Sequence, residues 1–273
     1  MSEGRSELKY ALPPQARRAV LQEAAPFVQP DPNADALEAQ LPRLRPVSGL
    51  HATGYRVSSL YLDDPQLDGY GKRMADLPIR NRVRIRTYGE VGQPAPVFLE
   101  AKRKLYGRVV KARMRVCDTV GWAEMGAPAP WRDLHARVTP ALRQPVARWV
   151  KTVEDAGMAS QCRVEYLRET YVEGSSRFTL DHEVRAAATG DAHALRGPCP
   201  TALLPPGWFV LELKFNGAMP AWMRGLTRRL HLTPEPVSKF ALGMAHTVRC
   251  NPADVRRFTP PSVRRAPSAL VAR

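Results

Sequence analysis

Acidic residues are scarce in this chain. Its 26 Asp and Glu face 41 Lys and Arg, for a formal net charge of +15 at pH 7 over 273 residues. Such an imbalance disfavours cationic ligands and points to polyanions: nucleic acid, phosphorylated metabolites or an anionic surface. The segment after Cys250 holds five arginines against Asp254 alone, so most of the excess belongs to the body of the chain. Cysteine is also sparse. Cys117, Cys162, Cys199 and Cys250 are scattered with no CxxC pair, which excludes a zinc ribbon and a disulfide framework and suits reduced thiols. No apolar run reaches the length of a membrane span, and the opening MSEGRSELKY is polar, so a soluble, cytoplasmic protein without a secretory leader or transmembrane segment is expected.

Familiar catalytic signatures are missing as well. Gly71-Lys72 hints at a phosphate loop, but Gln66 stands where its first glycine would be and Arg73 where Ser or Thr would follow. His182 has no partner at zinc-protease spacing, and His51, His135 and His246 read as surface or capping residues. No Gly-x-Ser-x-Gly elbow occurs. The five tryptophans, Trp122, Trp131, Trp149, Trp208 and Trp222, read as core or cover residues.

What the chain does have is charge at strand spacing. In RNRVRIRTYG, Arg82, Arg84 and Arg86 occupy every second position with Val83 and Ile85 between them. Side chains alternate faces along a strand, so the three arginines share one face and the aliphatics the other. The pattern recurs. Glu7 pairs with Lys9, Glu100 with Lys102 and Lys104, Lys111 with Arg113 and Arg115, Tyr166 with Arg168, Arg177 with Asp181, and Glu212 with Lys214. Apolar residues such as Leu99, Val110, Ala112, Phe178, Leu180, Leu211 and Leu213 take the opposite faces.

Eight extended segments are expected: 6–12, 55–64, 80–88, 96–104, 108–116, 162–172, 176–186 and 208–217. Helical patterns lie at 13–28, around 70–77, across 118–157, at 220–232 and at 236–248. Residues 29–52 read as a loop. The fold class is therefore α+β. An ordinary antiparallel sheet with one solvated face explains any single strand. Two features favour a closed antiparallel barrel of about eight strands, with the charges lining a tunnel and helices packed outside: the polar faces are mostly Lys and Arg, and they recur on nearly every strand. A cationic tunnel calls for a guest rich in acceptor oxygens, and polyphosphate groups fit. The organisation expected is one domain over residues 1–250 and a basic, proline-containing, disordered tail over 251–273.

The segments ELKY (7–10), SLYLDD (59–64), RVRIRTYG (82–89), FLEAKRK (98–104), VKAR (110–113), EYLRETY (165–171), RFTLD (177–181), LELKF (211–215), PAWM (220–223) and SKF (238–240), taken in this order, resemble the VTC (vacuolar transporter chaperone) domain family of the triphosphate tunnel metalloenzymes. The resemblance implies a tunnel barrel and, in the active members, an ATP-dependent polyphosphate polymerase. Such an enzyme transfers the γ-phosphate of ATP to a growing polyphosphate chain, releases ADP and uses a divalent metal, manganese or magnesium. It further implies catalytic roles for Lys9, Arg84, Arg86, Lys102, Lys111, Arg168, Arg177 and Lys239 on the phosphates. Supporting contacts to substrate would come from Tyr166, Ser238, Lys214, Glu100 and Glu7, and Glu212 would hold the metal. Two positions depart from the family pattern: Arg5 stands where hydrolytic tunnel enzymes carry a first Glu, and Pro236 where the polymerases carry a lysine. The readings that stay open are a polymerase acting on ATP and polyphosphate, a triphosphatase of the tunnel type, and a non-catalytic polyphosphate binder. A specific nucleic-acid binder is not expected, because RVRIR and VKAR interleave their cations with aliphatics, not aromatics. Glu212 has a further plain reading, as an ion-pair partner of Lys9 or Arg86.

Overall fold

The computed structural model describes residues 5–32, 47, 50, 54–89, 93–106, 108–127 and 129–266. Eight main strands appear where alternation places them: β1 (Arg5–Leu12), β3 (Gly54–Asp63), β4 (Ile79–Tyr88), β5 (Pro96–Leu105), β6 (Arg108–Asp118), β7 (Ala159–Glu173), β8 (Ser176–Ala188) and β10 (Phe209–Asn216). Two-residue strands β2 (Gln29–Pro30) and β9 (Thr201–Ala202) pair with β7 and β8. All pairings are antiparallel, in the order β1-β10-β8-β7-β3-β4-β5-β6.

The expected closed barrel is not what the sheet forms. Among the described strands β1 and β6 have no partner on their outer sides, so the sheet is open. It is nevertheless strongly curled. Glu7 on β1 and Lys102 on β5 stand near opposite ends of the strand order, yet each lies close enough to stabilise the other's charge. The result is a half-barrel with a concave trough. Edge and interior strands carry the same alternation, so the pattern that predicts a sheet does not predict closure. At β6 the departure is clear: Val110 and Ala112, expected against a core, are exposed.

The convex face is buried under helices in two patches. Leu211, Leu213, Phe178 and Leu180 meet Val20 and Leu21 of α1 (Ala16–Ala24), and Trp222, Met223 and Leu226 of a later helix, Ala221–Arg229. Leu60, Val83, Ile85 and Leu99 meet Trp122, Leu134, Val146 and Trp149 of the helical segment between Thr119 and Asp155. All five tryptophans are buried, as core and cover residues should be.

One helix lies on the other side. The helix Lys239–Met244, capped by the Ser238 hydroxyl, packs inside the curl against Tyr61, Tyr166, Val164 and Ala186. Its approach is close. A Cβ on Gly243 would come within 2.8 Å of both Cys162 Sγ and Val164 Cγ2, so only glycine lets this helix seat so deeply. The chain beyond Cys250 also differs from expectation. Residues 252–265 are not disordered but form two short helices, Pro252–Phe258 and Pro261–Arg265. Buried Phe258 joins the core there, and the Tyr70 hydroxyl donates to Asp254 at 3.0 Å. The rest of the expected tail, residues 267–273, lies outside the described residues, as does most of the expected loop over 29–52, whose first two residues form β2. No helix among the described residues is long and apolar enough to cross a membrane.

Candidate functional site

Register alone assembles the trough. Tyr61 stands opposite Arg84, Arg84 opposite Glu100, and Glu100 opposite Arg113, a row running across β3, β4, β5 and β6. The next row places Arg82 beside Lys102 and Lys102 beside Lys111. In the other half of the sheet, Lys9 stands opposite Glu212 and Glu212 opposite Thr179; Glu7 faces Lys214, and Lys214 faces Arg177. Arg168 stands opposite Asp181. Directly opposed side chains on one face of a sheet are within contact range, so cations from seven strands converge on the concave surface.

Two acidic hubs hold many of them. Glu100 accepts from Arg84 Nε at 2.5 Å, lies 3.3 Å from Arg113 Nε and 3.8 Å from the Arg86 guanidinium. Arg86 also donates to Ser59 at 2.9 Å. Burial would raise the Glu100 pKa, but Arg86, Arg84 and Arg113 outweigh it and hold the carboxyl below its ordinary value.

The second hub is Glu212, 3% exposed and touched by four cations. Its Oε1 lies 3.0 Å from Lys239 Nζ and 3.3 Å from Lys9 Nζ; its Oε2 lies 2.5 Å from Lys214 Nζ and 3.4 Å from Arg168. Asp181, fully buried, takes a two-pronged contact from Arg168 at 2.6 and 2.8 Å and meets Lys239 Nζ at 2.5 Å. Burial pushes both carboxyls up. Lys239, Lys9, Lys214 and Arg168 override it at Glu212 and hold that group well below the carboxylate range; Arg168 and Lys239 do the same at Asp181. Glu7 follows the same logic: burial raises it, and Lys9 and Lys214 then bring it down to about 2. The ion-pair reading of Glu212 thus holds for Lys9 but not for Arg86, which belongs to the Glu100 hub.

Tyr166 bridges the halves. Its ring lies under the Arg168 guanidinium at 5.2 Å and the Lys239 ammonium at 4.9 Å, and its own ionisation is disfavoured mainly by burial. Face-on cations gain from the ring quadrupole, so Tyr166 steadies two cations that share acidic partners.

The structure therefore brings together Glu7, Lys9, Arg84, Arg86, Glu100, Lys102, Lys111, Tyr166, Arg168, Glu212, Lys214 and Lys239 on one concave surface. Ser238 sits beside them as a helix cap. Arg177 shares that face but is tied at its margin, hydrogen-bonded to Thr170 and ion-paired with the buried Asp31. Asp181, Arg82 and Arg113 belong to the charged strand faces legible in the sequence, but no site role follows for them there. For Asp181 the signal is the face it shares with Arg177 and Thr179.

Lys102 gives the trough a titratable element. Burial lowers its pKa to about 8; Arg82, Lys111 and Lys9 push the same way and Glu7 opposes them. The ammonium is then fully charged only below that value. We expect anion binding in the trough to weaken as pH rises through about 8 and this dependence to vanish in Lys102→Met. The ligand-free protein should show the opposite trend. Between the folded pKa and the ordinary lysine value the unfolded chain binds more protons, so Lys102 contributes stability that increases with pH there. Tripolyphosphate titrations and thermal melts over the same pH series check both signs.

Comparison with known proteins agrees with the sequence resemblance. The profile of the VTC domain family matches residues 4–248. No curated protein sequence matches. Solved structures to which the chain shows similarity include a putative adenylate cyclase from Vibrio parahaemolyticus, 11% identical, covering 89% of this chain and 98% of its own, with a TM-score of 0.44. A putative adenylyl cyclase from Hippeastrum, described as having a dominant triphosphatase activity, is 17% identical, covers 89% and 96%, and has a TM-score of 0.47. A putative adenylate cyclase from Bacillus halodurans is 8% identical, covers 87% and 95%, and has a TM-score of 0.45.

Proposed function

The chain belongs to the VTC domain family, and on that footing we propose that it is an ATP-dependent polyphosphate polymerase working in the trough. The observation that supports this most is the Glu212 hub: one buried carboxylate surrounded by Lys9, Lys214, Lys239 and Arg168 at 2.5–3.4 Å. These four buried or half-buried cations outnumber the three carboxylates among them, Glu7, Asp181 and Glu212, and a phosphate chain would supply further anionic oxygens.

In this reading the lysines and arginines now paired with carboxylates turn to phosphate oxygens. They hold the γ-phosphate of ATP in line with the terminal phosphate of an acceptor chain. An acceptor oxygen forms the new P–O bond while the β,γ-bridge bond breaks, and ADP leaves with the electron pair. Phosphoryl transfer needs positioning and charge neutralisation more than covalent help. Arg84, Arg86, Lys102 and Lys111 would line one side of the chain, Lys9, Arg168, Lys214 and Lys239 the other, and Arg177 one margin.

The donor set fits a divalent ion carried in with the nucleotide. Among the described residues no three His, Cys, Asp or Glu side chains gather into a closed metal cage. Manganese or magnesium held by Glu212, with Glu7 and Asp181 at its flanks, would complete its shell with phosphate oxygens and water, as hard cations do. When bound, it would offset charge on the transferring phosphoryl group.

Water as acceptor would turn the same geometry into a triphosphatase. Incubation of the purified protein with ATP and Mn2+ separates the two: a ladder of polyphosphate with ADP supports the polymerase, and ADP with orthophosphate alone supports hydrolysis. Arg84→Ala/Arg86→Ala should lower either turnover by at least about a hundredfold. Unaltered turnover in that variant would remove the trough from the chemistry.

A further inference from the structure

The described residues include seven large exposed hydrophobic side chains, and five of them lie together. Leu77 and Ile79 lead into β4, Tyr106 sits in the β5–β6 turn, and Val109 and Val110 begin β6. Pairing gathers them: Ile79 is opposite Leu105, Leu105 opposite Arg108, and the Tyr106 N–H donates to the Pro78 carbonyl at 3.2 Å. Val109 and Val110 are neighbours in a strand and so point to opposite faces. Both are exposed, at 44% and 60%, and Tyr106 is 77% exposed. Among the described residues neither face of the ribbon is covered at this end, so the tip stands clear of the helical layer and the trough alike.

Its charge is one-sided. Residues 77–83 and 101–111 carry seven Lys and Arg and no Asp or Glu. The acids that flank these segments are both already ion-paired, Asp76 with Arg73 and Arg80 and Glu100 with Arg84 and Arg113. Apolar side chains on a free tip, ringed by cations, are what an anionic bilayer surface accommodates: the tyrosine and valines enter the headgroup boundary while Arg103, Lys104 and Arg108 meet lipid phosphates. A free polyanion would leave the apolar side chains without a role. A second copy would bring two strongly cationic tips together against their repulsion.

We propose that the β5–β6 tip docks the protein on an anionic lipid surface. The test is co-sedimentation of the full-length chain with vesicles of phosphatidylcholine, with and without phosphatidylglycerol. The wild type should bind only the anionic vesicles. Tyr106→Ser/Val109→Ser/Val110→Ser should bind them at least about tenfold more weakly, and Arg103→Gln/Arg108→Gln should also lose affinity. The triple variant should keep wild-type affinity for tripolyphosphate, which shows that it is folded and that the trough is unaffected. Failure of the wild type to bind anionic vesicles would overturn the proposal, and so would full retention in the triple variant. A wild-type dimer that the triple variant breaks apart in analytical ultracentrifugation would assign the tip to a second copy instead.

Discussion

Glu212→Gln is expected to lower ATP turnover by at least about a hundredfold while strengthening the binding of tripolyphosphate in the absence of metal. The two effects have one cause. Glu212 is ionised at neutral pH, because Lys239, Lys9, Lys214 and Arg168 override the effect of its burial. Its charge does two things in the proposed reaction. It offers hard oxygen to a divalent ion, and it occupies four cations that would otherwise reach phosphate. The amide keeps the shape and removes the charge. A metal-dependent step then loses its anchor, while a bare anion meets a more positive trough. Calorimetric titration of tripolyphosphate with chelator present, beside turnover with Mn2+, reads both. A variant with wild-type turnover would show that Glu212 is a counter-ion and nothing more.

Lys239→Met should be the most destabilising of the trough substitutions, by about 3–5 kcal/mol, because it strips the shared partner from two buried carboxylates. Lys239 is 8% exposed and touches both Asp181 and Glu212. Burial disfavours its charge, yet those two carboxylates raise its pKa above the ordinary lysine value. In the wild type the depressed carboxyls stabilise the fold above their unfolded pKa, and that contribution is lost as pH falls through the folded values. Without Lys239 the depression shrinks. The gap in Tm between wild type and variant should therefore be full at neutral pH and close as pH drops below the ordinary carboxylate range of roughly 4. A gap that stays constant from neutral to acid pH would mean that the lysine acts through packing alone.

Much of this architecture could be read from residue order, because one physical rule governs it. Period-two alternation located all eight main strands, and it placed Arg84, Arg86, Glu100 and Lys102 on one face before any pairing was known. Closure was not readable. Whether β1 meets β6 depends on curvature and on what covers each edge, and neither leaves a mark in alternation. The depth of the helix Lys239–Met244 was equally hidden, since its seat depends on Gly243 meeting Cys162 and Val164 across distant sequence. Asp181 illustrates the limit for the site. A single aspartate in RFTLD looks like a solvated strand residue, and only the pairing of β7 with β8 sets it against Arg168. Arg177 shows the converse: its face was right, but its partner Asp31 comes from a segment that alternation reads as loop.

The claim on which the account turns is that the concave face binds a phosphate chain. The most direct measurement is the affinity of tripolyphosphate over a series of salt concentrations, for wild type and for Arg84→Ala/Arg86→Ala, with duplex DNA as the competing ligand. Tripolyphosphate should bind tightly, with an affinity that falls steeply with salt. The double variant should lose roughly 3–6 kcal/mol, at about 1.5–3 kcal/mol for each charge-assisted contact. DNA should bind much more weakly, with an affinity that the double variant leaves unchanged. Tighter binding of DNA than of tripolyphosphate, with the DNA affinity lost on replacing Arg84 and Arg86, would contradict that claim.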